Sequence, residues 1–186
     1  KGEPDLPAIT THLATTRPFA PDLIIAIGGG AVIDYGKALA ALIPAPHGAL
    51  RYLEVVGDGK PLDAAPLPLI AIPTTAGTGT EVTRNTVIGV PEAGRKVSLR
   101  DPRLYPTLAL VDPDLCLSCP KGVVLASGLD AITQVIEPFI SARANPVTDA
   151  VCRDAIPRGL AALHRIMDHD DARAWDAMAL TSLCGG

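Results

Sequence analysis

Aromatic side chains are nearly missing: two Phe, three Tyr and one Trp, or 3% of 186 residues. Any core must therefore be filled by Leu, Ile, Val and Ala, and an apolar content of 48% supplies enough of them for a sizeable one. No basic run occurs and the net charge is only −4, which argues against nucleic acid and against an anionic membrane as partners. No apolar stretch approaches the roughly 20 residues needed to span a bilayer, so no membrane partner is expected. Cysteine is sparse and scattered at Cys116, Cys119, Cys152 and Cys184, which is not a disulfide framework; a reducing, cytoplasmic compartment is expected. Neither a G-x-S-x-G elbow nor a G-x-x-x-x-G-K-[ST] loop occurs, leaving hydrolase and P-loop chemistry without support. No signal peptide is visible, and because the chain starts at Lys1 and not at Met, further residues are expected upstream.

What is present falls into two parts. Strand and helix signals alternate through the first part. Residues 5–16 form a helical pattern with Pro7 in the opening turn, and residues 23–27 are a continuous apolar run, the pattern of a strand buried on both faces. A helix is predicted over 33–43, a loop over 57–68, and a second buried strand over 69–72. Residues 86–90 and 96–99 flank Pro91 to Gly94, a four-residue connection, and predict a β-hairpin; 108–111 is a further strand, stopped by Asp112-Pro113. Beyond Pro120 strand signals cease. Helices are predicted over 128–141, 146–167 and 170–184, with Asn145 and Asp170-Asp171 as start signals and Pro157 expected to kink the middle one. The expected division is an α/β domain over 1–120 and a helical domain beginning at 121–186.

Two loops point to a ligand. Asp22-Leu-Ile-Ile-Ala-Ile-Gly28-Gly-Gly-Ala-Val-Ile-Asp34-Tyr-Gly-Lys37 reads as strand, glycine turn and helix. A helix start offers free backbone N–H groups and partial positive charge, and glycines let a pyrophosphate approach them. The turn departs from the G-x-G-x-x-G fingerprint, since Ile33 stands where that pattern needs its last glycine. Pro73-Thr-Thr-Ala-Gly-Thr-Gly-Thr-Glu81 follows the second strand and combines hydroxyls with exposed backbone donors. A tight turn that binds nothing, and a flexible solvated loop, are the plain alternatives.

Together these residues resemble the iron-containing (group III) alcohol dehydrogenases. Gly28 to Lys37 is similar to that family's GGGSxxDxxK segment, Pro73 to Glu81 to its PTTAGTGSE loop, Leu110-Val-Asp-Pro-Asp114 to its strand end before the domain boundary, and Gly128-Leu-Asp-Ala-Ile-Thr-Gln-Val-Ile-Glu137 to its GxDAxxHxxE helix. The resemblance implies an incomplete Rossmann-like nucleotide-binding domain, of the dehydroquinate-synthase-like fold, followed by the start of an all-helical metal-binding domain. It implies NAD or NADP as cofactor, Fe2+ or Zn2+ as metal, an alcohol or aldehyde as small-molecule substrate, and a homodimer or larger homo-oligomer. Gly29, Gly30 and Ala31 would meet the pyrophosphate, with Ala31 replacing the usual Ser. Asp34 would lie near the nicotinamide side, and Thr74, Thr75, Thr78, Lys96 and Leu110 would contact the cofactor. Asp130 and Gln134 would be metal ligands. The family's remaining two histidine ligands, and its NAD-against-NADP determinant, would lie outside this chain.

Gln134 departs from the family, which has His there. A neutral amide oxygen is a weaker ligand for iron than imidazole. Gln134 could ligate weakly, water could replace it, or the metal site is lost. A maleylacetate reductase, a dehydroquinate-synthase-like enzyme and a non-catalytic dinucleotide binder stay open alongside the alcohol dehydrogenase. For Asp130, a helix cap is the plain alternative. Cys116-Leu-Ser-Cys119 lacks the second pair a zinc site needs and reads as structural. His164 and His169, five apart, are not expected on one helical face, and His12 and His47 read as surface.

Overall fold

The computed structural model describes residues 2–169 and 171–186, so the expected start signal at Asp170 lies outside the described residues. The chain divides into two compact units: one holds the chain up to Ile72 together with Thr80–Leu110, the other Pro73–Gly79 and Val111–Gly186.

The first unit opens with α1 (Leu6–Thr16). Its start follows from Asp5, whose side chain accepts the Ala8 N–H at 2.7 Å, and from Pro7, which needs no helical partner for its nitrogen. β1 (Ile24–Gly28) leads into α2 (Gly30–Leu42), which begins earlier than the apolar periodicity indicates because Gly29 takes the cap position. β2 (Leu69–Pro73) lies between β1 and β5 (Leu108–Ala109) and runs parallel to β5, with Ile70 opposite Leu108 and Ala71 opposite Ala109. β3 (Asn85–Val90) and β4 (Arg95–Arg100) form the expected antiparallel hairpin, whose connection turns on Gly94 in the left-handed region. Ile9, Leu42, Leu53, Ile88 and Leu99 are fully buried in one aliphatic cluster, which Tyr52 joins. The scarcity of aromatics is thus met as expected.

β1 departs from the sequence expectation. Its apolar run is not buried on both faces: Ala26 packs toward α2, while Ile25 and Ile27 are 56% and 59% exposed. Alternation along a strand sends these side chains to the opposite face, and α2 covers only one. The strand predicted over 108–111 is also shorter, although the Leu110 N–H still donates to the Ala71 carbonyl at 2.9 Å.

The second unit is helical along Val111–Gly186, where no strand occurs among the described residues. α3 (Lys121–Phe139) starts well before Gly128, α4 (Pro146–His169) runs on past Pro157, and α5 (Ala174–Gly185) closes the chain. Asn145 caps α4 by accepting the N–H groups of Val147 and Thr148, both at 3.1 Å. Trp175 and Met178 from α5 join Ala131, Ile132, Leu163 and Ile166 in the core. Close approach is secured by small residues: a Cβ on Gly128 would come within 2.6 Å of Leu163, and one on Gly159 within 2.6 Å of Thr181. No helix among the described residues is long and apolar enough to cross a membrane.

The seam between α2 and β1 is equally tight. A Cβ on Gly36 would lie 2.7 Å from the Cβ of Ala26, a backbone-anchored neighbour that cannot rotate away. Gly36→Val is therefore expected to destabilise the protein by about 1–3 kcal/mol through overpacking. A urea unfolding curve measures this, and Ala26→Gly in the same background should recover part of the loss.

Candidate functional site

The glycine turn is built by the strand and helix it joins. Gly29 caps α2 with no side-chain bond, and its carbonyl accepts the N–H groups of Val32 at 2.9 Å and Ile33 at 3.2 Å. These are the first amides bonded back into the helix, so those of Gly30 and Ala31 are left at the helix start, where the dipole favours an anion. Gly28, Gly29, Gly30 and Ala31 are all half-buried. A Cβ on Gly28 would fall 2.7 Å from Val32, so this turn cannot carry a side chain there unchanged.

The threonine loop is not a flexible solvated turn. Ala76, Gly77 and Gly79 are buried, Thr74 and Thr75 are half-buried, and Thr78 is exposed. Its glycines have a packing reason. A Cβ on Gly77 would lie 2.5 Å from the Cβ of Ser127 on α3. Gly79 has φ +59°, and a Cβ there would meet Gly186 and the Ser182 carbonyl at 2.8 Å. The loop therefore lies directly against the helical unit, and its glycines permit that approach as well as exposing amides.

Asp34 is drawn inward. Its Oδ1 accepts the Thr80 hydroxyl at 2.5 Å, its Oδ2 accepts the Val87 N–H at 3.0 Å, and its carbonyl accepts the Thr86 hydroxyl at 2.7 Å. Burial pushes its carboxyl above the usual range, opposed by the bonds from Thr80 and Val87 and by the charge of Lys37. Lys37, one turn further along, is fully buried. Its ammonium donates to the carbonyls of Thr80, Thr83 (2.8 Å) and Asn85 (3.1 Å) and to the hydroxyls of Thr80 (3.0 Å) and Thr83 (2.9 Å). Burial lowers its pKa to about 8, against the opposing pull of Asp34 and Glu81. Glu81 is itself buried and pushed upward by that burial. Sequence reasoning assigned no role to Lys37, Thr80 or Glu81. The available signal was a single Lys inside the run Gly-Lys37-Ala-Leu-Ala-Ala-Leu, where a charge must be enclosed.

Lys96 is exposed on β4 and pairs with Glu3 at 2.7 Å. Leu110 is partly exposed just past β5. Among the described residues, no hydrogen bond links either to the glycine turn.

Asp130 lies well inside α3, which begins at Lys121, so it is neither a cap nor a first-turn charge. The Gln134 amide donates to Asp130 Oδ2 at 2.8 Å, as their spacing of one turn allows. Burial raises the Asp130 pKa, the bond from Gln134 opposes it, and Glu137 adds to the rise. No cation faces this carboxylate in any bond or ion pair among the described residues. As metal donors the two side chains fit as part of a site: one carboxylate lacking a countercharge and one amide whose oxygen is neutral. Among the described residues no cluster of three or more His, Cys, Asp or Glu side chains could hold an ion. The four cysteines are free, with Cys116 and Cys152 buried. His164 pairs with Asp168 at 3.0 Å, and its ring meets that of His169 edge-on at 6.3 Å, so their five-residue spacing does bring them together. His47 is exposed near Asp63, while His12, also exposed, bonds to the Tyr35 hydroxyl.

Known proteins resemble this chain in sequence and fold. The family model described as iron-containing alcohol dehydrogenase matches residues 1–113, and that described as Fe-containing alcohol dehydrogenase family, C-terminal, matches 124–186. The chain is 37% identical over 152 residues to 4-hydroxybutyrate dehydrogenase of Cupriavidus necator, covering 82% of this chain and 40% of that protein. It is 36% identical over 186 residues to the probable alcohol dehydrogenase EutG of Escherichia coli K12, covering 100% and 46%. The crystal structure of sulfoacetaldehyde reductase from Bifidobacterium kashiwanohense in complex with NAD+ superposes with a TM-score of 0.91 at 28% identity, over 100% of this chain and 49% of that one. The chain thus spans about half the length of the relatives it matches.

The threonine loop yields a direct test. Gly79→Ala combines a left-handed backbone with a clash against backbone atoms, so a loss of roughly 1–3 kcal/mol in stability is expected. Chemical denaturation reads it, and an unchanged midpoint would show that the loop does not need this approach.

Proposed function

The chain belongs to the iron-containing alcohol dehydrogenase family, and from that premise we propose that the intact protein is an oxidoreductase. It would move a hydride between a nicotinamide dinucleotide and a small alcohol or its aldehyde, with a divalent metal, iron or zinc. The observation that carries this reading is the start of α2, where a side-chain-free cap leaves the amides of Gly30 and Ala31 available to a diphosphate.

Gly29, Gly30 and Ala31 would hold the diphosphate by backbone alone, since Ala31 brings no hydroxyl. Thr74, Thr75 and Thr78 would line the dinucleotide, with Lys96 and Leu110 as further contacts. NAD+ in the related sulfoacetaldehyde reductase favours NAD over NADP. Asp130 would be the anionic metal ligand and Gln134 a neutral one. The bound metal would supply Lewis acidity toward the substrate oxygen, and the dinucleotide the hydride acceptor or donor. The names of the relatives, which include hydroxybutyrate, alcohol and sulfoacetaldehyde enzymes, favour a short compound with a terminal hydroxyl or aldehyde. A nucleotide domain over 1–120, a helical domain from 121, a cytoplasmic homodimer or larger assembly, and an Asp34 near the nicotinamide belong to the same proposal.

A second reading is favoured by Gln134. Its amide donates to Asp130 where a histidine could have turned a lone pair to the metal, which suits a dinucleotide binder that has lost its metal. Metal analysis and activity separate the two. The intact protein should bind NADH, retain iron or zinc, and reduce NAD+ with a short primary alcohol in an absorbance assay, losing that rate with a chelator. NADH binding without metal or turnover would leave only the binder, and absence of NADH and NADPH binding would sink both. Gln134→His is expected to tighten metal binding by roughly 10- to 100-fold, as imidazole replaces an amide oxygen. Competition with a chromogenic chelator measures it.

A further inference from the structure

We infer that Lys37 is a positioning residue for the cofactor site: its ammonium ties α2, the helix that opens with the glycine turn, to residues 80–85, into which the threonine loop runs. The inference rests on the nicotinamide-binding reading above. Lys37 lies seven residues after Gly30, which is close to two turns, so the two share one side of α2.

Three N–H bonds are shared among five oxygen atoms, three of them carbonyls of residues 80–85 at the entry to β3. Asp34 grips the same segment from one turn earlier, through the Thr80 hydroxyl and the Val87 amide. Residues 80–87 are thereby laced to α2 at several points. A buried charge is a poor device for adhesion, because apolar replacement of a buried ion pair is often neutral or stabilising. It is a good device for register, since only one arrangement of the carbonyls satisfies the ammonium. The charged groups facing it are Asp34 on its own helix and Glu81 on the segment opposite, while Glu3 bears on Asp34.

Titration separates positioning from mere support. Burial sets the Lys37 pKa at about 8, below the ordinary 10.5. Between those values the unfolded chain keeps a proton that the folded chain has released, so this group's contribution to stability rises with pH there. Cofactor affinity, which needs the protonated cage, should fall over the same range. The two observables move in opposite directions, which a purely structural lysine would not produce.

The experiment measures the NADH dissociation constant of the intact protein by fluorescence titration, from about pH 7 to about pH 9.5, alongside its melting temperature. Wild type should lose roughly tenfold in affinity across about pH 8 without a matching fall in melting temperature. Lys37→Met should bind at neutral pH as weakly as wild type does at high pH and show no step. Its rate at saturating cofactor should fall less than its affinity. Thr83→Val keeps the lysine and removes one hydroxyl acceptor; it should lower affinity by a smaller factor, and it decides the matter should Lys37→Met fail to fold. A pH-independent wild-type affinity, with Thr83→Val or folded Lys37→Met binding as wild type does, overturns the inference while the nicotinamide reading stands. Wild type that binds neither coenzyme overturns the reading first and the inference with it.

Discussion

A lysine ammonium with no exposed surface must find oxygen on every side it can reach, and much of the sheet unit is arranged to provide it. The carbonyls of Thr80, Thr83 and Asn85 turn toward Lys37, Thr80 and Thr83 add their hydroxyls, and Asp34 lends a carboxylate through Thr80. The helix bearing Lys37 begins at the glycine turn, and the segment it holds continues into the hairpin of β3 and β4. Fixing one therefore fixes the other. The start of α2 presents its amides from a helix that is clamped on this side and wedged against β1 by Gly36.

The fold was legible where local chemistry and burial agree. Pro7 in the opening turn announced α1, Asn145-Pro146 announced α4, and the Pro91–Ala93 turn with Gly94 marked the hairpin. It was less legible where tertiary context decides. Nothing in Leu-Ile-Ile-Ala-Ile tells a strand buried on two faces from one that exposes Ile25 and Ile27, because the pattern records hydrophobicity and not the neighbours that cover it. The early start of α3 was hidden for a related reason. Residues 121–127 carry no side-chain cap and no acidic first turn, so the helix there depends on packing rather than on a start signal.

At the site, residue types were readable and their partners were not. The glycines of both loops stood out, but their purposes differ. Gly28 is where a side chain would collide with Val32, whereas Gly77 and Gly79 let a loop lie against α3 and the end of α5. Composition cannot distinguish these cases, since both require the absence of a Cβ. Asp34 was noticed as a possible cofactor neighbour, yet both its oxygens are occupied by Thr80 and Val87. Asp130 and Gln134 came together as helical spacing required, with the amide donating to the carboxylate.

The seven residues Pro73–Gly79 pack with the helical unit although the chain on both sides of them belongs to the sheet unit. The backbone consequently passes between the units three times, after Ile72, after Gly79 and after Leu110. A domain hung on one linker can swivel freely and can be released by a single cut. Here a nick at any one crossing would leave the other two intact. The threonine loop is therefore tied by peptide bonds to the sheet unit at both of its ends, and cutting it alone would still leave the helical residues joined to that unit after Leu110.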